Sequence, residues 1–343
     1  MDKKRILIFA VVFAVLCLLV YLQVRTWKNF DWQVFWSRTD HVNPLGLLAG
    51  LAFTYLAYML RAVRWRIFLK PVCKTTTARL LAPQFIGFAA LALLGRAGEM
   101  IRPYIIAKKE RLTFTSQIAV WGVERIFDMG SFAAMLAVCL LWIDPTFPYY
   151  HKLRIVAVIF AGLVFVAVIG VVAVRLWGER VAKFLHDLLA GFAPKFAHHV
   201  REKVRYFSAG LETIHDLSSA LQLIAVSLIM WILIAFAYQS ITWAYGGELA
   251  RLKLPQLVVL MGCSMAGSIL QLPAVGGGQQ VAAIAMLHSG FGIEQELAVS
   301  CGMLIWAITF MAVIPTGLLL ARREHLSIRA VAEAEEREAA LAK

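Results

Sequence analysis

The chain has 343 residues, of which 61% are hydrophobic and 16% charged, with a mean hydropathy of +0.73. A soluble domain is nearer 45–50% apolar and roughly 25% charged, so a single water-soluble core is excluded. The net charge of +13 comes without a nucleic-acid motif. The basic residues lie mostly between apolar segments, where they orient a membrane chain and meet anionic headgroups.

A hydrocarbon core of about 30 Å needs roughly 20 apolar residues per helix. In chain order, six segments reach that length: about Ile6–Val24, Leu45–Leu69, Ser116–Ile143, Leu153–Leu176, Ala220–Tyr245 and Leu297–Ala321. The first follows Lys3-Lys4-Arg5 and exceeds a signal-peptide core, so it is expected to be a retained span. Two further stretches, 80–107 and 254–290, are apolar but broken. Their interruptions are Gly95-Arg96-Ala97-Gly98 and Pro273 through Gly278.

Basic residues flank the first broken stretch on both sides (Arg61, Arg64, Arg66, Lys70, Lys74 and Arg79 before it; Lys108, Lys109 and Arg111 after it). It is therefore expected to leave and return on the cytoplasmic side. The second leaves through His288–Glu296, which has no Lys or Arg, and the last span ends at Arg322-Arg323, so it is expected to dip in from outside. The predicted fold is all-α and polytopic, with six transmembrane helices and two opposed re-entrant hairpins. Both termini are cytoplasmic, in the cell (plasma or inner) membrane.

The order repeats. Residues 1–145 form a first membrane repeat with hairpin 80–107, and residues 146–323 an upside-down second repeat with hairpin 254–290. An offset of 180 residues superposes Gly87 on Gly267, Gly98 on Gly278 and Gly122 on Gly302, as in inverted-repeat transporters. Residues 178–215 mix basic residues with apolar ones at helical spacing, which fits a cytoplasmic amphipathic helix or a solvated connector. Residues 324–343 read as an Ala/Glu-rich cytoplasmic tail.

Three clusters could carry function. Glu124, Arg125 and Asp128 fall inside the third full span. Glu124 and Asp128 share a helix face and Arg125 reaches Asp128. Each such charge costs about 2.5–3.5 kcal/mol at a helix centre, so it faces a cavity or a partner; an internal ion pair is the structural alternative. Around Gly95–Pro103, the glycines permit a tight turn from which a half-helix begins. Arg96 and Arg102 there suit a phosphate, with Glu99 as a cap or partner. Gly276, Gly277, Gly278, Gln279 and Gln280 could offer backbone and amide groups to a headgroup, or pack closely. Arg61, Arg64 and Arg66 with Trp65 read as an interfacial anchoring belt.

The five cysteines and eight histidines have no spacing for a disulfide framework or a zinc site. There is no P-loop, zincin motif or nucleophile elbow. No cofactor, no metal and no catalytic residue are expected.

Arg61-Ala62-Val63-Arg64-Trp65, the Gly98-Glu99-x-x-Arg102 core and Glu124-Arg125-x-x-Asp128 together resemble the lysylphosphatidylglycerol synthase transmembrane-region family of flippase-like membrane proteins. In two-domain relatives this region is linked to translocation of aminoacylated phosphatidylglycerol, while a separate soluble domain makes it. The resemblance implies lipid translocation without synthesis and carries over to Arg96, Glu99, Arg102, Glu124, Arg125 and Asp128. Where the family often has Pro-Gly-Gly followed by Glu, this sequence has Gln279 and Gln280, which argues against an aminoacyl-cation substrate.

The expected function is a flippase for a phospholipid or lipid-linked anionic precursor, with Arg96, Arg102 and Arg125 on the phosphate. Expected partners are that lipid and anionic headgroups, with a homo-oligomer or a lipid-modifying enzyme as further options and no nucleic acid. The rival readings are a lipid-binding scaffold for a partner enzyme and an intramembrane enzyme using Glu124 or Glu99.

Overall fold

The computed structural model describes residues 32–140, 150–190, 217–272 and 276–324. The expected Ile6–Val24 span, residues 191–215 of the amphipathic segment, the tail beyond Glu324 and Pro273–Val275 lie outside the described residues.

The described chain is helical, apart from one two-residue antiparallel pair, Gln271–Leu272 with Gly276–Gly277. Four helices are long and apolar enough to cross a membrane: Pro44–Leu69, Thr77–Leu94, Ser218–Tyr245 and Gln295–Arg323. In chain order, α1 is Trp32–Asp40, α2 Pro44–Leu69 and α3 Thr77–Leu94, followed by a 3-10 turn over Gly95–Met100. Then come α4 (Ile101–Glu110), α5 (Phe114–Leu140), α6 (Tyr150–Ala190), α7 (Leu217–Tyr245) and α8 (Leu254–Gly267). The last elements are α9 (Gly278–Ala285), α10 (Gln295–Trp306) and α11 (Val313–Arg323). Helix α5 is long enough to span, but Glu124, Arg125 and Asp128 interrupt its apolar run.

Helices α2 and α7 form the central antiparallel pair. Asn43 N donates to the Ala244 carbonyl at 2.8 Å at one end, and Arg64 Nη1 donates to Ser227 Oγ at 3.0 Å near the other. Gly46 and Gly50 let the backbones close, because a Cβ at either would meet α7 within 3 Å.

The first broken stretch is a helical hairpin. Its turn needs Gly95, whose φ of 66° and ψ of −149° suit only glycine. Gly87 lies against the Arg102 Cβ and Gly98 against the Ala90 carbonyl, so α4 folds back on α3. At the base, Thr75 Oγ1 and Arg79 Nε both donate to the Glu110 carboxylate, at 3.0 and 3.2 Å. The chain thus leaves and returns beside the end of α2.

The second broken stretch is built alike. A Cβ on Gly267 would meet the Gly278 carbonyl oxygen at 2.1 Å, which records how closely α8 and α9 approach. Gly277, at φ 141°, makes the turn, and Gln280 Oε1 accepts from its N–H at 2.6 Å. This hairpin starts after α7 ends at Tyr245, the end of the bundle where α2 begins. The two hairpins therefore enter from opposite ends, and Gln271–Leu272 rests against the Gly95–Met100 turn.

Helices α10 and α11 are joined by a π turn, Ala307–Met311. Pro315 follows, and its missing N–H leaves the Met311 carbonyl without its helical donor. Tyr58 donates to the Thr309 carbonyl at 3.1 Å and Tyr55 to the Ala312 carbonyl at 2.8 Å, which ties the irregular turn to α2.

Helix α6 covers residues assigned separately to a span and an amphipathic segment, as two helical stretches. It bends at Trp177, whose φ of −135° and ψ of 35° depart from helix, so the expected boundary appears as a kink. Ile155, Val158, Ile159, Leu163 and Phe165 on its outer face are exposed.

Candidate functional site

The interfacial belt expected from sequence holds Arg61, Arg64 and Trp65; the structure buries all three. Arg64 is fully buried and is the hub of the charged cluster. Its Nη2 donates to Glu124 and its Nη1 to Asp128, each at 2.5 Å. Arg66, the remaining member of the belt, is exposed.

Arg102 comes from α4 and donates to the other oxygen of Glu124 and, at 2.9 Å, to Gln84. Its guanidinium stacks 4.5 Å from the centre of the Trp65 ring and 5.2 Å from that of Phe88. Such stacking offsets part of the lost hydration of a buried cation. Arg125 reaches Asp128 at 3.0 Å and Glu124 at 3.5 Å, and Arg61 approaches Asp128 only at 3.6 Å.

Four guanidinium groups thus share two carboxylates, which leaves two positive charges unmatched. Buried ions are tolerated when each finds opposite charge and hydrogen bonds. Glu124, held by Arg64 and Arg102, meets that condition. Arg61 does not: its Nε and Nη1 are buried with no hydrogen-bond partner among the described residues.

Arg61 opens on a cavity of about 240 Å³ between the hairpin tips. The first half of the chain lines it with Arg61 from α2, Arg96 and Glu99 from the first turn, and Arg125 from α5. The second half lines it with Trp231 and Tyr238 from α7, Ser264 and Ser268 from the second hairpin, and Gln279 from α9. Thr309 and Phe310 of the π turn close it. The level is the middle of α2, between Thr54 and Arg61.

Of the sequence-assigned residues, Arg96, Glu99, Arg125 and Gln279 therefore line one cavity. Arg102 faces a smaller recess of about 20 Å³ beside it, shared with Glu99 and Arg125. Glu124 and Asp128 lie behind the cavity wall as counter-charges. Gly276, Gly277 and Gly278 form the second tip, and Gln280 is spent on capping Gly277. The sequence did carry a signal for Arg61: Thr54, Tyr58, Arg61 and Trp65 recur at helical spacing along one face of α2.

These residues sit in a chain that matches the lysylphosphatidylglycerol synthase transmembrane region over residues 6–317. The chain belongs to that family. It is a multi-pass membrane protein of a lipid-related family. No curated protein matches the sequence.

Proposed function

We propose that this family member is a flippase, moving the headgroup of a phospholipid or lipid-linked anionic precursor through the cavity between the two hairpins. The observation that carries the reading is a cavity at the middle of α2, lined by Arg61, Arg96 and Arg125, beside a cluster with two more guanidinium groups than carboxylates. Intramembrane charges mark transport paths by default, and guanidinium groups suit phosphate oxygens.

Six spans accompany the hairpins in this reading: Ile6–Val24, α2, α5, α6, α7 and the α10–α11 helix. The hairpins are re-entrant, and each would gate the cavity toward one side, with both termini cytoplasmic by the basic-loop pattern. Antiparallel α2 and α7, and glycines doing equivalent close-packing work at Gly87 and Gly267, support an inverted repeat. Arg61 takes the phosphate-holding place that sequence reasoning gave to Arg102, because Arg102 is already committed to Glu124 and Gln84. Arg96 and Arg125 keep theirs. With no ATP motif, movement is passive or ion-coupled.

The test is scramblase-free proteoliposomes containing a fluorescent phosphatidylglycerol, read by dithionite quenching with and without a proton gradient. The expected result is protein-dependent loss of inner-leaflet protection that Arg125→Gln abolishes in a folded, monodisperse sample. Flipping no faster than in empty vesicles would instead favour a lipid-binding scaffold. Normal flipping by Arg125→Gln would remove the cluster from the path.

A further inference from the structure

The two halves of the chain line the cavity differently, and the difference specifies the ligand. The lining from the first half holds all the charge: Arg61, Arg96, Arg125 and Glu99. Glu99 is close enough to Arg125 to interact with it. Adding the Arg96 and Glu99 pair to the buried cluster leaves the positive excess unchanged.

The lining from the second half has no charged residue. It offers the Tyr238 hydroxyl, grouped with Ser264, Gln279 and Thr309, and the indole N–H of Trp231. Trp231 is 7% exposed, and its Nε1 is buried with no hydrogen-bond partner among the described residues. Orphaned buried donors are uncommon, and each costs about 1–3 kcal/mol if it stays unpaired. Arg61, 8% exposed, is the matching orphan on the charged side. The cavity lining thus includes a cationic side chain and a neutral one, each with a buried N–H that lacks a hydrogen-bond partner among the described residues.

We infer that the cavity takes a phosphate diester bearing an uncharged, hydroxylated substituent, such as a glycerol or cyclitol, and rejects headgroups that carry an ammonium. This rests on the proposed function only in taking the bilayer as the source. The diester monoanion meets Arg61, Arg96 and Arg125. The hydroxyls, which both donate and accept, meet the Trp231 N–H, the Gln279 amide and the Tyr238 group. A bare phosphate monoester would leave the neutral lining unpaired, and a site built to bind hydroxyls discriminates strongly against ligands lacking them. An ammonium would meet three guanidinium groups with Glu99 as its sole carboxylate. At about 240 Å³ the space is below the roughly 300–1,000 Å³ of drug-sized sites, so it admits a headgroup while the acyl chains stay outside.

Binding is measured by microscale thermophoresis on the full chain in detergent. The probes are dihexanoyl phosphatidylglycerol, phosphatidic acid, phosphatidylethanolamine and free glycerol 3-phosphate. Phosphatidylglycerol should bind roughly ten-fold tighter than the other two lipids, the scale of one lost hydrogen bond. Trp231→Phe removes only the N–H at nearly constant shape. It should bring phosphatidylglycerol down toward phosphatidic acid and leave phosphatidic acid unchanged. Gln279→Glu, of equal size, should weaken phosphatidylglycerol and strengthen phosphatidylethanolamine.

Equal binding of phosphatidylglycerol and phosphatidylethanolamine, or an unchanged ranking in both variants, overturns the inference. Glycerol 3-phosphate binding as tightly as the lipid overturns the bilayer source. Selective lipid binding without flipping supports the inference and overturns the proposed translocation alone.

Discussion

The two hairpins share a design and differ in what holds them. Both have arms in close backbone contact, at Gly87 and Gly98 in the first and at Gly267 and Gly278 in the second. The first adds charge: Arg102 on its returning arm is bound to Glu124, which is bound to Arg64 of α2, whereas the second adds only an amide cap at its tip. Desolvated ion pairs are unforgiving, since removing one partner strands the other. Close backbone packing fails only when volume is added. Loss of an ion partner should therefore be felt in the first hairpin alone, and added volume in both.

The largest effect is expected from Arg64→Leu. Glu124 and Asp128 would lose their shared donor, and breaking a buried pair costs about 3–5 kcal/mol. Thermal unfolding in detergent should show a marked drop, and an unchanged midpoint would mean that the hub is not Arg64. Converting Glu124, Arg125 and Asp128 together to apolar residues should not restore stability. That change leaves Arg64 and Arg102 buried without an anion. Recovery in this triple variant would show the cluster to be closed within α5.

A smaller loss is expected from Gly267→Ala, about 1–3 kcal/mol for overpacking, because its new Cβ meets a rigid carbonyl. Gly262→Ala in the same helix is the control: its Cβ would stand 3.4 Å from the Phe132 ring, an ordinary contact. If both variants melt alike, close packing is not what holds the second hairpin.

The smallest effect belongs to the base of the first hairpin. Arg79 is largely exposed, with 55% of its side-chain surface accessible against 6% for Glu110. Glu110 keeps the Thr75 hydroxyl as a donor, so losing the 3.2 Å pair should cost about 1 kcal/mol, the upper end for an exposed pair. Arg79→Ala should lower the unfolding midpoint by only about 2–4 °C. A loss comparable to that of Arg64→Leu would show the base, rather than the tip, to be the anchor.

The hairpins were legible because glycine and proline interrupt apolar runs that are otherwise long enough to span. Glu124, Arg125 and Asp128 were legible because charge inside such a run has few explanations. Arg64 was not. It stands next to Arg66, Lys70 and Lys74, so local charge density imitates a loop, and its partners lie 60 and 64 residues away. Arg102 was read as a ligand for the same reason: no local pattern reveals that a cation is already neutralised by another helix. The Trp177 bend is visible in the sequence as a change of composition, and the backbone leaves the helical conformation at that residue.

The depth of the cavity has an electrical consequence. Its level on α2 is midway along a helix of 26 residues, so an anion bound there stands about halfway through the membrane field. A full charge crossing 100 mV gains or loses about 2.3 kcal/mol, so half the field is worth about 1.1 kcal/mol. With the interior negative, that half-step favours an anion arriving from the cytoplasm, and the second half-step favours its release outside. A passive path of this geometry would act as a rectifier for anionic lipid, its direction set by voltage rather than by either hairpin.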